Sequence, residues 1–473
     1  MPSKILIKST IAIIILFFLF TVCPFLTTLS IGDLVVSSSN VNPIVTSVKA
    51  ADVTITSSSK SVITPNPTIV EAKIFNLDVT GNSDTTASFQ KMINSFPQGS
   101  SVKLPKGQCK FSNTVKLKDG IKIIASNDVV IIGAGKNTLF STGNDNSFEG
   151  IEFQNCSTAL SVFQKTGLVI SNCKFTNNIN YAAINFYKAS SSEVKNSYFY
   201  DIHKYGILID NDSTSITIDK NNFDNPKVFG GYKEAQISGH IYCLNGSNIK
   251  VTNNSVKNSG GQGIIFAYNS STGKGTTSSV ASNNYCEGNG QEGITSYGGS
   301  KKVTSGNSII GNTCKNNRYN QIEVWQSDNN IVKNNTVEES LTDRGNMGAI
   351  CLYATNKTTC TDNKFLCARN SGIDILAGSF NCMISGNFVS NTNSKNDIKT
   401  PESGNAILLD SNGLTQPSHI TITNNTISST NAIIYKSGVY STSATNQHNT
   451  ISNNNITGYQ TGVHYYAQKT CGK

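Results

Sequence analysis

An asparagine followed at the second position by an apolar residue recurs at Asn196, Asn221, Asn254, Asn284, Asn312, Asn335, Asn363, Asn387, Asn425 and Asn454, at spacings of mostly 23 to 30 residues. A repeat of roughly 20–50 residues is the signature of a solenoid. The unit is too short for a pair of helices. It is rich in Asn, Ser, Thr, Ile and Val, which favour strands and turns over helix. Each unit therefore reads as one coil of a parallel β-helix, and the chain as a solenoid of roughly 11–13 such coils. A solenoid presents long continuous faces, and function is expected along one of them.

The register of that face follows from alignment on the residue that opens one strand of each coil. This opening column holds Gly206, His240, Gly263, Gly293, Gln321, Ala349, Gly372, Ala406, Gly438 and Gly462. The next column holds Ile207, Ile241, Ile264, Ile294, Ile322, Ile350, Ile373, Ile407, Val439 and Val463. Side chains alternate along a strand. The Ile/Val column and the one two residues beyond it are therefore assigned to the core. The opening column and the columns two and four residues after it are assigned to the outside. The repeat asparagines are assigned to turns, where Asn tolerates left-handed backbone, and to a ladder of stacked amides.

On the expected outer face the middle coils gather His240, Tyr242, Tyr297, Gln321, Glu323, Trp325, Tyr353 and Asp374, including the only tryptophan of the chain. Aromatic rings that pack on the apolar faces of sugars, mixed with polar groups for their hydroxyls, suit a glycan. Glu323 and Asp374 share a column two coils apart, about 9.6 Å at the strand spacing. Two carboxyls roughly 6.5–9.5 Å apart suit inverting glycoside hydrolysis, one as acid and one as base. Glu292, one coil before Glu323 in the turn leading into its strand, is an alternative partner, and His240 is a further catalytic candidate. Lys227, Lys233, Arg318 and Arg344 fall in loops beside the middle coils, where they would meet the carboxylate of an acidic sugar or serve a lyase. The plainer and favoured reading of each of these charged groups is a solvated surface residue. The run Asp210-Asn211-Asp212 offers oxygen ligands that suit Ca2+. The same run suits a plain turn, and no metal is assigned.

Composition narrows the setting. The 473 residues are 37% hydrophobic and 14% charged, with a net charge of +9. Regular Ile, Val and Phe spacing excludes disorder beyond about residue 70. No basic cluster interleaved with aromatics is present, so nucleic acid is not expected as a partner. Lys4 and Lys8 precede an apolar run from Ile11 to Phe20, so residues 1–30 read as a signal peptide or a retained signal-anchor. Val48-Lys49-Ala50 before Ala51 resembles a cleavage site but lies far from the apolar run. Residues 31–71 form a Ser/Thr-rich linker with Pro65 and Pro67. Residues 72–147 form a cap and first coils, and 148–473 the repeats proper. Within the cap, Lys73-Ile-Phe is a strand candidate. A helix with Asp84 or Thr85 as its N-cap is expected to place Phe89, Met92 and Ile93 on one face. Twelve cysteines invite a disulfide framework. Cys286 and Cys314 occupy equivalent positions on adjacent coils, close enough for a bridge, but the favoured reading is buried Cys as a small hydrophobe.

The segment Asp78-Val-Thr-Gly-Asn-Ser-Asp-Thr-Thr-Ala-Ser-Phe-Gln-Lys, then Gly99-Ser-Ser-Val-Lys-Leu-Pro-Lys-Gly, resembles the N-terminal cap of the pectate-lyase-3-like group of the pectin-lyase-like superfamily. With the coils downstream, the resemblance covers residues 72–466. It implies an all-β, right-handed parallel β-helix with a short N-terminal capping helix. It does not imply one reaction, because the superfamily includes hydrolases, lyases, epimerases and non-enzymatic spikes. The Asn-Thr-Asp, Asp-Asp, Gly-His-Gly and Arg-Ile-Lys motifs of polygalacturonases are absent. So is the Asp-Pro-His-Asp motif of alginate epimerases. Gly239-His240-Ile241 matches two residues of one motif only. No catalytic residue is carried over from any family.

The resulting expectation is an exported or cell-surface carbohydrate-active enzyme, a hydrolase or lyase acting on a polysaccharide. The alternative is a non-catalytic β-helix that binds glycans. Membrane contact would come only through the N-terminal segment, and oligomeric state stays open.

Overall fold

The structure, a computed structural model, describes residues 68–69, 72–225, 239–340, 348–393 and 404–466. The segment expected as a leader (residues 1–30), with Cys23, and nearly all of the expected linker lie outside the described residues. The described chain falls within one unit, Thr64–Lys473.

Parallel strands stack coil upon coil into one continuous sheet wound into a right-handed helix. Each middle coil contributes three short strands. One coil runs Ile294–Tyr297, Ser308–Ile310, Thr313–Lys315, and the next returns at Ile322–Trp325. The three strands define three faces, called here the site face, the second face and the third face. On the site face Leu160, Ile184, Ile207 and Ile241 stack in register and continue through Ile264, Ile294, Ile322, Ile350, Ile373, Ile407 and Val439 to Val463. This is the expected Ile/Val column. All its members are buried except Val463, which lies on the last described strand and is 40% exposed.

The interior is built from like stacked on like. Phe153, Phe175, Phe199 and Phe223 stack nearly face to face on the third face, with centroids 5.0, 4.7 and 4.3 Å apart. Further along the same column the residues shrink to Val256, Cys286, Cys314 and Val337. Cys286 and Cys314 are therefore in register as expected, and both are free, fully buried thiols. Filling a narrow core accounts for them without a disulfide.

The repeat asparagine divides into two roles. Asn253, Asn283, Asn334, Asn424 and Asn453 take left-handed backbone at the corner. The residue after each is the ladder amide. Asn312, for example, donates its backbone N–H (2.9 Å) and its side-chain Nδ2 (3.0 Å) to Asn335 Oδ1, and Nδ2 also reaches Ala281 O at 2.9 Å. The same pattern links Asn221 to Asn254, Asn284, Asn312, Asn335, Asn363, Asn387, Asn425 and Asn454. A corner N–H cannot join the sheet ladder, and burial forbids leaving it unpaired. The amide of the next coil supplies the acceptor. Asn196 departs from the expected register. It is the left-handed residue, and Ser197 after it holds the ladder place, accepting Cys173 N–H and donating its own N–H to Asn221 Oδ1.

At the N-terminal end, a helix over Thr86–Ser95 buries Phe89, Met92 and Ile93 against the first coils. Asp84 Oδ1 accepts the Thr86 N–H at 3.0 Å, and Asp84 also holds Ser112, which ties the helix start to a strand end. Lys73-Ile-Phe is not a strand. Ala72–Phe75 is a 3-10 turn in which Phe75 packs on Phe96 at 6.2 Å. A 3-10 turn turns Phe75 onto the cap helix, which an extended run would not do.

Candidate functional site: an acid row beside an aromatic platform

The stacking of the site face carries the second column in register as Thr295, Glu323, Cys351, Asp374 and Leu408. Glu323 and Asp374 are thus two strands apart in one column, as expected. Two residues further along the same strands lie Tyr297, Trp325 and Tyr353. Trp325 and Tyr353 stack with centroids 3.6 Å apart and planes within 5°. Both are half-buried. Alternation puts this platform on the same side of the sheet as the acids, about 6.6 Å away along the strand.

The acids are sunk into the face. Glu292, Glu323 and Asp374 are only 8%, 7% and 6% exposed. Removal from water holds Glu323 well above the usual carboxylate range, and the neighbouring Glu292 carboxyl adds to the effect. Glu292 is raised by burial, partly offset by hydrogen bonds including one from the Gln262 side chain. Asp374 is pushed up to about 6 by burial, against the Gly348 N–H that Oδ2 accepts at 2.8 Å. Gly348 is required there: a Cβ would lie 2.5 Å from the Asp374 carboxyl carbon. Cys351 sits between Glu323 and Asp374, and burial together with these carboxyls raises its thiol, so it is no thiolate nucleophile.

The opening column does not point outward. His240 is 1% exposed, with its ring 5.5 Å from Phe223 of the core and Nε2 2.7 Å from Lys257 O, and burial lowers it to about 4. Gln321 is fully buried. Its Oε1 accepts the Asn317 N–H (3.0 Å) and Nδ2 (2.7 Å), closing a second amide ladder that begins at Asn289. The reason is local. A Cβ at this column aims at the core: one built on Gly206, the second residue of the strand Tyr205–Asp210, would meet Phe223 at 3.0 Å. Alternation is broken at the start of each strand, at His240 within Gly239–Cys243 and at Gln321 just before Ile322–Trp325.

Gln321 passes the ladder to an acid that spacing did not reveal. Glu339 is 2% exposed; Oε1 accepts from Gln321 Nε2 at 3.1 Å and Oε2 from the Arg369 N–H at 2.9 Å. Burial, with Asp374 nearby, pushes it up to about 8. It lies just beyond a third-face strand, at the corner, where no outward column includes it.

Other expected residues scatter. Tyr242 is 8% exposed and packs on Tyr205 at 5.1 Å within an apolar cluster on the site face that includes Leu208 and Ile265. Tyr297 borders that cluster and contacts Tyr268 at 5.7 Å. Arg318 lies over the ring of Tyr319, 5.7 Å from its centroid. Lys227, Lys233 and Arg344 lie outside the described residues. At the suggested calcium run, Asp210 accepts Asn211 N–H and Asn269 Nδ2, and Asp212 is bound by Lys274 Nζ at 2.9 Å. Asn211 and Asp212 both take left-handed backbone. The run is a turn, and an ammonium occupies the acceptors that a cation would need. Among the described residues, no group of three or more His, Cys, Asp or Glu is placed to hold a metal ion. A cavity of about 440 Å³ lies at this corner, lined by Asp212, Lys274 and Val303, apart from the acid row.

A family model described as a right-handed β-helix region matches residues 107–272 and 239–413, together most of the chain. No curated protein matches the sequence. Among solved structures, the chain is similar to the surface adhesin PfbA of Streptococcus pneumoniae (16% identity, TM-score 0.52, 68% of this chain and 90% of that one). It is similar to the tailspike protein of E. coli bacteriophage HK620, solved in complex with a pentasaccharide (11%, 0.59, 82% and 78%). It is also similar to the alginate lyase AlyF-OU02, solved in complex with G6 (14%, 0.53, 77% and 85%). At these identities the likeness is one of fold.

Proposed function

We propose that this chain, which belongs to the right-handed β-helix family, is an exported glycoside hydrolase that cleaves a polysaccharide laid along its site face. The observation that carries this reading is the row Glu292, Glu323 and Asp374, buried and raised, beside the stacked Trp325–Tyr353 platform. A carboxyl held well above the usual range can act as a general acid, and one near 6 as a general base. Glu323 gives its proton to the glycosidic oxygen as the bond to the anomeric carbon breaks. Asp374 takes a proton from water as that water's oxygen bonds to the anomeric carbon. Trp325 and Tyr353 hold the sugar ring by stacking. The basic and apolar leader supports export.

The test is incubation of the purified protein with neutral and uronate polysaccharides. Release of reducing ends without unsaturated-uronate absorbance is the expected result; release with it would make the protein a lyase and overturn the hydrolytic reading. Glu323→Gln and Asp374→Asn are each expected to lower kcat by about 10²–10⁴-fold. Activity should rise as pH passes through about 6, where Asp374 ionises.

A non-catalytic glycan-binding role is the second reading, favoured by the low exposure of the acids themselves. It predicts saturable glycan binding through Trp325 with no reducing ends released.

A further inference from the structure

The platform column continues upstream of the acid row. Register carries it from Trp325 back through Tyr297, Ala267, Leu244 and Asp210 to Tyr187 and Phe163. Phe163 and Tyr187 stack with centroids 5.0 Å apart and planes within 13°, as Trp325 and Tyr353 do. Phe163 is 52% exposed, far more than a packing residue on a β-helix requires. Exposed aromatic surface of this kind marks a contact site.

Cations flank this pair on both edges of the site face. Lys188 follows Tyr187 directly and lies 5.9 Å from its ring centroid. On the opposite edge Lys204 precedes the strand Tyr205–Asp210 and lies over Tyr181 at 5.6 Å and Tyr205 at 5.1 Å. Both lysines are exposed. The intervening carboxylate, Asp210, is engaged by Asn269 Nδ2 at 2.7 Å and by the Asn211 N–H. Five strand steps separate Tyr187 from Trp325, about 24 Å along the helix axis.

We propose that Phe163 and Tyr187, with Lys188 and Lys204, form a second glycan platform that holds the distal part of an anionic polysaccharide whose nearer part lies on Trp325 and Tyr353. This rests on the site face being the glycan face. The rings stack on sugar faces, and the two lysines meet the polymer's carboxylates. A chain spanning both platforms gains affinity as a linked ligand does, while a short oligosaccharide reaches one platform only.

The sole tryptophan makes the test direct, because Trp325 fluorescence reports occupancy of the downstream platform. The full chain is titrated with alginate, polygalacturonate and hyaluronate, with the trisaccharide of each, and with dextran as the neutral control. The expected result is that one anionic polymer binds about tenfold or more tighter than its trisaccharide. Phe163→Ala/Tyr187→Ala then removes that advantage and leaves the trisaccharide titration unchanged. Lys188→Ala/Lys204→Ala weakens the polymer and steepens no response to dextran. Circular dichroism melting of each variant confirms that the coils remain folded. Unchanged polymer affinity in the Phe163→Ala/Tyr187→Ala protein overturns the proposal, as does dextran binding as tightly as every anionic polymer. Polymer binding that depends on Phe163 and Tyr187 with no reducing ends released would overturn hydrolysis and leave the second platform standing.

Discussion

Single residues explain more of this chain than their type suggests. The ladder asparagines from Asn221 to Asn425 are buried, and each satisfies a corner N–H of the preceding coil. Asn312→Ala would strand the Asn284 N–H, which donates to Asn312 Oδ1 at 2.9 Å, and the Ala281 carbonyl. A buried unpaired group costs about 1–3 kcal/mol. Asn312→Ala is therefore expected to cost about 2–6 kcal/mol for the two together, read as a lower midpoint in urea with an unchanged slope. The ladder was legible in the repeat because turn chemistry selects Asn. The split between a left-handed residue and a ladder residue was not, because Lys, Gly, Asp and Asn all occupy the first position. Only the hydrogen bonds separate the two.

At the scale of the strand, alternation worked inside the element and failed at its entrance. Ile322, Glu323, Val324 and Trp325 alternate as expected, with Ile322 and Val324 in the core. Gln321, one residue earlier, turns inward because the backbone is bending. The same entrance segment, one coil later, sets the acid row. Gly348 lets its own N–H meet Asp374 Oδ2, and Gly348→Ala places a methyl against that carboxyl. We expect Gly348→Ala to lower kcat with little change in the melting midpoint, since the core beneath is untouched. A loss of folding instead, seen by circular dichroism, would make the contact structural.

The molecule as a whole stores ionisable groups in a way that shapes its stability against pH. Glu339 has an ordinary value of 4.5 and stands at about 8 in the fold; Asp374 has 3.8 and stands at about 6. A raised carboxyl is held protonated only by the folded chain. Its stabilising contribution is complete below the unfolded value and is lost as pH rises through the folded value. Asp78 and Asp84 are lowered, Asp78 by hydrogen bonds from Thr80 and Ser83, Asp84 by hydrogen bonds from Ser112 and Thr86 that outweigh its burial. Their contribution has the opposite sense and is lost as pH falls from 3.8 toward 2. The melting midpoint should therefore decline steadily between pH 4.5 and about 8, and Glu339→Gln should flatten the upper part of that decline.

The amino-acid order alone determined the solenoid, its strand register and its core columns. Repetition makes every coil report the same geometry, so an Ile or Val error in one coil is outvoted by the others. Glu323, Asp374 and Trp325 were legible for the same reason, as departures from a column otherwise filled by the repeat. What only the tertiary structure decided is everything that happens at corners and between non-equivalent positions. Gln321 entered the core at a bend and His240 at the start of its strand, and Glu339 approached the acid row from another face. Phe163 and Tyr187 joined the platform column through strands upstream of the clearest repeats. Corners break the two-residue period, and burial of a carboxyl depends on what packs around it in three dimensions, which no spacing records.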